Sequence, residues 1–239
     1  MERKIIRKSD NFDLNPFKNS DDLLGLIASF KNSLYYNRGK QNNSLNYNYI
    51  NNRSKNLLSV GALENNNITN ELQYIHLLMK TWLVDIDLKS IKTATISENY
   101  ESRNFKINNY LLAPKLSYLF NENANLDIFY VYQNKNNLLG DKESLRQTKF
   151  GTSFSFSNDK KFMANGEFSL IKNNFVGDEL SPVAFQMLEG LQSGQNLTWR
   201  LLVQKNLTQY LELNINYQGR KSELNQTIHT GNIQLKAIF

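Results

Sequence analysis

The chain has no cysteine, three prolines and two histidines among its 239 residues. Without cysteine there is no disulfide framework, no thiol nucleophile and no thiolate metal site, and two histidines leave little for a histidine-ligated one. Neither a metal nor a cofactor is therefore expected. No run of about 20 apolar residues occurs, which excludes a membrane-spanning helix, in keeping with a mean hydropathy of −0.53 and 40% hydrophobic residues. Glycine-rich phosphate loops are missing too. The segment Met1 to Asp22 is charged and has no apolar stretch that could form the core of a secretory signal.

Aromatic residues, by contrast, reach 12% through 12 tyrosines and 14 phenylalanines, a composition that suits strands. The net charge is +6, but the basic residues are scattered. Their one dense stretch, Arg3, Lys4, Arg7 and Lys8 beside Ile5 and Ile6, reads as a solvated end rather than a phosphate-binding arm, so no nucleic-acid partner is expected. Asparagine is abundant, with 36 copies. Its runs at Asn65-Asn66-Asn67, Asn136-Asn137 and Asn173-Asn174 suit turns, because the side chain bonds nearby backbone and tolerates left-handed conformations; genomic base composition would produce them equally well.

Alternation of period two dominates the last two-thirds of the chain and places one residue type on each face of a strand. Leu211, Leu213, Ile215 and Tyr217 oppose Glu212, Asn214, Asn216 and Gln218. Gly231, Ile233, Leu235, Ala237 and Phe239 oppose Asn232, Gln234 and Lys236. The same pattern runs through Trp199, Leu201 and Val203, through Phe150, Phe154 and Phe156, through Phe162, Ala164, Gly166, Phe168 and Leu170, and through Trp82, Val84, Ile86 and Leu88. One segment changes phase: Phe105 and Ile107 are out of step with Leu112, Pro114, Leu116, Tyr118 and Phe120, which predicts a bulge near Asn108 to Tyr110. Residues 20 to 37 fit a helical face (Leu23, Ile27, Phe30, Leu34, capped by Ser20) or a strand; the β-preferring Leu34, Tyr35 and Tyr36 and the following Leu45, Tyr47, Tyr49 favour the strand.

The connections alternate in length. Gly219 to Thr227, Val176 to Asn196, Asn134 to Leu145 and Thr93 to Arg103 read as long, whereas Asn206 to Tyr210, Asn158 to Lys161, Asn121 to Asn125 and Met79 to Thr81 read as short. A soluble sandwich has no reason to keep its long loops at one end. Transmembrane barrels do, with strands of about 10 residues whose lipid-facing positions alternate with polar inner ones. The expected fold is thus all-β, an antiparallel up-and-down transmembrane β-barrel of about 11–12 strands, complete or with an incomplete wall. Trp82, Leu88, Phe154, Phe168, Trp199, Leu213, Leu235 and Phe239 should face outward. Two units are expected, an N-terminal segment or linker from a longer chain at 1–22 and the barrel at 23–239.

The ending Gly231-Asn-Ile-Gln-Leu-Lys-Ala-Ile-Phe239 resembles the C-terminal insertion signal of bacterial outer-membrane barrels. Ser181 to Trp199, Asn216 to Glu223, Ile228-His-Thr230, Asn15-Pro-Phe17 and Ser33 to Arg38 resemble the C-terminal β-barrel region of large uncharacterised outer-membrane proteins of Bacteroidota. The resemblance implies a bacterial outer-membrane location. It also implies an assembly signal in Ile233, Leu235, Ala237 and Phe239, outer-membrane lipid and the barrel-assembly machinery as partners, and a possible upstream domain or partner lipoprotein. The function expected is that of a pore, a transport component or a membrane anchor for an upstream domain. The alternative is a soluble all-β surface binding module, an adhesin or carbohydrate reader.

Catalysis is not expected. Asp85 and Asp87 share a strand face, but barrel interiors routinely carry such charges. His76 and His229 lie on different strands with no spacing that fixes a triad. The glycosylation-like Asn196-Leu-Thr and Asn225-Gln-Thr match only formally. Val183, Met187, Leu188 and Leu191 have helical spacing inside the longest loop and predict a short helix, packed over the barrel mouth or, as the second reading, presented as a partner-binding element.

Overall fold

The computed structural model describes residues 2–7, 23–40, 42–58, 61–158, 161–223 and 225–237. Twelve strands follow one another: β1 Glu2–Arg7, β2 Leu23–Tyr36, β3 Ser44–Leu58, β4 Gly61–Leu78, β5 Trp82–Ser97, β6 Phe105–Asn121, β7 Ala124–Asn137, β8 Ser144–Asn158, β9 Phe162–Val176, β10 Gly194–Thr208, β11 Leu211–Ser222 and β12 Ile228–Ala237. They form one sheet in which every strand pairs antiparallel with its neighbours in sequence, the up-and-down wall expected. Residues 20–37 resolve as the strand β2, and β1, which falls within the stretch read as a linker, pairs with it from Glu2↔Ser29 to Arg7↔Leu23. Among the described residues β12 pairs with β11 only.

The long connection between β9 and β10 carries one helix, α1, Pro182–Leu188. Ser181 caps it, its hydroxyl accepting from the Ala184 amide at 3.0 Å, and proline occupies the first turn, where its missing N–H costs nothing. Val183, Ala184, Met187 and Leu188 are buried against Ile107 of β6 and Leu145 of β8, with Phe105 and Phe175 packed around them. Lys135 of β7 and Arg220 of β11 bond the carbonyls of Met187 and Gly190 at the far end. A flat sheet would set β6 and β11 about 24 Å apart, more than twice the width of a helix; the wall therefore curls around α1, which sits on its concave face as the helical spacing predicts.

Three expectations change. Phe105 and Ile107 need no bulge, since β5 and β6 pair in unbroken register from Thr95↔Phe105 to Trp82↔Tyr118. The two phases are two faces: Phe105 and Ile107 point inward to α1, while Leu112, Leu116 and Phe120 point outward. The asparagine runs at 65–67, 136–137 and 173–174 are not turns but lie inside β4, β7 and β9. There their amides bond across strands, as where Thr95 donates to Asn65 at 2.8 Å and Gln147 donates to Asn173 at 2.8 Å. In consequence the strands run further and the long loops are shorter than read. β5 continues to Ser97 and β10 begins at Gly194. The length alternation holds from β4 onward, whereas the link from Tyr36 to Ser44 is long at the short-turn end and that from Leu58 to Gly61 is short at the other.

Candidate functional site

The register assigns every strand residue to one of two faces. One row crosses β3 to β7 as Tyr47, Leu72, Leu88, Leu112 and Tyr132, another crosses β5 to β8 as Trp82, Tyr118, Leu126 and Phe154, and a third crosses β9 to β11 as Phe168, Trp199 and Gly219. All lie on the convex face. Seven of the eight positions expected to face outward do so by this register, and Phe239 lies outside the described residues. The side chains stay open: Trp82, Leu88, Phe154, Phe168 and Leu235 are all exposed, and Phe150, Leu170 and Tyr110 more than half so. Asn214, Asn216, Gln234 and Lys236 take the opposite face, alternating with Leu213, Ile215, Ile233 and Leu235.

This convex apolar area forms a belt. On β9 it runs from Phe162 to Leu170 and on β6 from Tyr110 to Phe120, a length close to the 9–11 residues that a tilted strand needs to cross a bilayer. Tyrosine and tryptophan mark both borders: Tyr36, Tyr47, Trp82 and Tyr118 near the short-turn end, and Tyr110, Tyr132 and Trp199 toward the long loops. Beyond the second border the same face turns polar, with Arg53 and Lys55 on β3, Asn66 on β4, Lys92 on β5 and Lys172 on β9. Two glycines serve the belt. A Cβ on Gly166 would collide with the Phe154 ring, and one on Gly219 with the Trp199 indole, so these aromatics lie flat across the neighbouring strand.

The concave face is polar. Across β2 to β5 hydroxyls and amides form ladders: Ser29 donates to Asn52 at 2.7 Å, Ser33 to Asn48 at 2.7 Å, and Asn46 to Gln73 at 3.3 Å. Asp85 and Asp87 point into this space, and structure gives them partners rather than a reaction. Asp85 pairs with Lys115 at 3.2 Å and accepts from Gln73 at 3.1 Å; Lys89 reaches Glu71 at 2.6 Å and Asp87 at 3.8 Å. The histidines are far apart, both on the convex face. His76 stacks on Tyr74, and His229 shares a 2.8 Å hydrogen bond between its Nδ1 and the Tyr217 hydroxyl. Asn196 is buried and donates to the Gln192 carbonyl at 2.8 Å, which removes it as an acceptor for a sugar. Among the described residues no cluster of three metal-ligating side chains occurs.

Helix α1 closes part of the lumen. Lys135, 5% exposed, donates to the Met187 carbonyl at 2.8 Å and pairs with Glu189 at 2.5 Å. Asn173 donates to the Gln192 carbonyl at 2.9 Å. Sequence reasoning missed these anchors, because in polar alternation a lysine carries no sign of a helix carbonyl 52 residues away, nor an asparagine of a loop carbonyl 19 residues on. Ile233, Leu235 and Ala237, read as part of an assembly signal, lie on β12 opposite Ile215, Leu213 and Leu211.

No family model matches the sequence, and neither does any curated protein. Several solved structures are similar in fold. The NanC porin is 14% identical, covers 90% of this chain and 100% of its own, and has a TM-score of 0.47. The transport unit of the autotransporter AIDA-I from Escherichia coli is 12% identical over 90% of this chain and 82% of its own, with a TM-score of 0.39. The translocator domain of the autotransporter NalP from Neisseria meningitidis is 9% identical over 90% and 82%, also with a TM-score of 0.39. Likeness at this level is one of shape and does not carry function.

Proposed function

We propose that the chain is a bacterial outer-membrane β-barrel that acts as a restricted transport conduit or as the membrane anchor of an upstream domain. One observation carries the reading, the continuous convex belt of exposed apolar and aromatic side chains, bordered by tyrosine and tryptophan, around a polar concave face. In water that belt would be an aggregation surface, whereas in lipid it is the surface required. The alternative, a soluble binding module, would need these residues packed against a second sheet, and among the described residues there is a single sheet. Helix α1 favours a narrowed lumen over a wide open pore.

The test is physical. The protein should fractionate with outer membranes, need detergent to stay in solution and migrate faster on gels before heating than after. Leu88→Arg, in the middle of the belt, should lower the stability of the inserted state by about 2–4 kcal/mol. A monomer that stays soluble without detergent would end the reading.

Assembly follows from the same setting. An unpaired strand edge in lipid leaves backbone groups unsatisfied at several kcal/mol each. The free edge of β12 is therefore assigned a partner strand, either β1 or one supplied from outside this sequence. Phe239, with Ile233, Leu235 and Ala237, is assigned as the signal read by the barrel-assembly machinery. Phe239→Asp should reduce outer-membrane levels and expose the chain to periplasmic proteolysis; unchanged insertion would remove that role. Kinship with the Bacteroidota outer-membrane proteins and a partner lipoprotein or upstream domain belong to the same proposal.

A further inference from the structure

The concave face is charged unevenly. On β4 to β6 the cations Lys89 and Lys115 face three acids, Glu71, Asp85 and Asp87, and each is paired. On β8 to β11 the balance reverses. Lys149, Arg200 and Arg220 outnumber Glu167 and Glu212, and Glu167, opposite Arg200 in register, pairs with Lys149 at 2.7 Å. Among the described residues Arg200 makes no ion pair within 4.0 Å, and Arg220 bonds only the neutral Gly190 carbonyl, at 2.9 Å. Two further acids lie apart from the arginines: Glu212, at the short-turn end of β11, accepts from Asn214 at 2.8 Å, and Asp127 of β7, three strands from Arg200, accepts from Ser153 at 2.9 Å and Asn125 at 2.9 Å.

The two arginines border open space. A cavity of about 480 Å³ lies between them, lined also by Thr198, Gln218 and Thr230. A second, of about 290 Å³, adjoins it through Arg200 and Glu167 and continues along Ser153, Ser155 and Asn165. The trough thus combines two guanidinium groups that make no ion pair, one carboxylate already paired with Lys149, and hydroxyls and amides along its length. Guanidinium forks match carboxylates and phosphates in geometry, and neutral hydroxyls and amides match a polyhydroxylated body.

We propose that this trough is a binding site for a hydrophilic solute bearing a carboxylate or phosphate, with Arg200 and Arg220 taking the anionic group and Thr198, Gln218 and Thr230 the hydroxyls beside it. The inference rests on the reading of the concave face as a water-filled lumen, but binding and conduction are separable. Protein folded in detergent, its state checked by heat-modifiable migration, is titrated calorimetrically at low ionic strength with sodium glucuronate, inorganic phosphate and glucose.

Either anion should bind at least tenfold more tightly than glucose, and the Arg200→Gln, Arg220→Gln double variant should lose at least tenfold in affinity, while Lys172→Gln on the convex face changes nothing. Glucuronate above phosphate identifies a sugar acid as the class; phosphate above glucuronate identifies a phosphorylated solute. Glucose binding as tightly as the anions, or a double variant that binds like the parent, overturns the site. The glucose comparison needs no variant, so a misfolded double mutant leaves the test intact. Conductance in planar bilayers is measured in parallel: its absence with binding retained removes the conduit and leaves the site, whereas conduction without anion binding removes the site alone.

Discussion

The wall from β6 to β9 and the wall from β2 to β5 have strands of similar length and the same apolar convex belt, yet their interiors are held by different forces. In the first, Ile107 and Leu145 meet the buried face of α1 and form a small dry core. In the second, nothing apolar arrives from a loop among the described residues, and the inner side chains bond one another across strands: Ser33 to Asn48, Asn48 to Glu71, Thr95 to Asn65. Burial is worth about 25 cal/mol per Å² of apolar area, while a hydrogen bond that water can replace nets about 1 kcal/mol or less. One loop helix is thus enough to stiffen a polar lumen locally. The bare half relies on backbone ladders and its convex surface.

The largest effect expected from this contrast is in the core. Leu145 is fully buried beneath α1, and Leu145→Ala should cost about 2–5 kcal/mol, because the surrounding strands cannot collapse into the space left. Ile75, inward on β4 and only half-buried, has no such core; Ile75→Ala should cost about 1 kcal/mol, the transfer of its exposed-to-buried methylenes alone. Urea titrations of the two variants in detergent or liposomes give the ratio. Equal losses would show that α1 contributes no packing and would dissolve the distinction between the halves.

Much of this contrast was legible in the sequence and its decisive part was not. Alternation placed Leu213 and Leu235 on one face and Asn214 and Gln234 on the other, because a strand's period of two needs no tertiary knowledge. The spacing of Val183, Met187 and Leu188 gave α1 for a similar reason. At Phe105 and Ile107 periodicity reports that the phase changes and not which face has acquired an apolar partner. The asparagine runs suit turns by local preference, which stands level with base composition as their cause and cannot foresee strands that continue past the apolar belt, where an amide finds a neighbour's amide or hydroxyl instead of its own backbone. The trough of Arg200 and Arg220 joins residues twenty apart, and only the β10–β11 register, which sets Thr198 opposite Arg220 and Arg200 opposite Gln218, brings them together.

Intermediate effects concern the anchors of each half. Lys135→Met removes the donor to the buried Met187 carbonyl, and an unsatisfied carbonyl of this kind costs about 1–3 kcal/mol. The ion pair with Glu189 adds little, since that carboxylate is 60% exposed. The expected readout is faster hydrogen exchange of the amides from Val183 to Leu188 with the rest of the wall unchanged; global loss of protection would mean that α1 nucleates the barrel rather than resting in it. In the bare half, Asn48→Ala removes a bond accepted from Ser33 at 2.7 Å and one donated to Glu71 at 3.3 Å. Water reaches both partners, so the denaturation midpoint should move by no more than about 1 kcal/mol.

The smallest effect locates the upper border of the belt. Lys55 and Glu64 face each other in register on the convex side of β3 and β4, with nitrogen and oxygen 2.5 Å apart and about half of each side chain exposed. The hydrogen bond with Glu64, reinforced by its charge, holds the Lys55 ammonium above its usual range. A raised lysine pKa contributes whatever stability it has below the ordinary lysine range and loses it only as pH rises through the folded value, so the Lys55 ammonium keeps its charge from pH 6 to 9. An exposed pair in water is screened by salt and opposed by side-chain entropy. Lys55→Ala should therefore leave the denaturation midpoint unchanged across that interval and at both low and high salt. If the belt extended as far as Lys55, the charge would lie in lipid, and its removal would stabilise the inserted protein measurably. A stabilised Lys55→Ala variant would move the polar border of the convex face past residue 55 and bring the bare half deeper into the membrane than the plugged one.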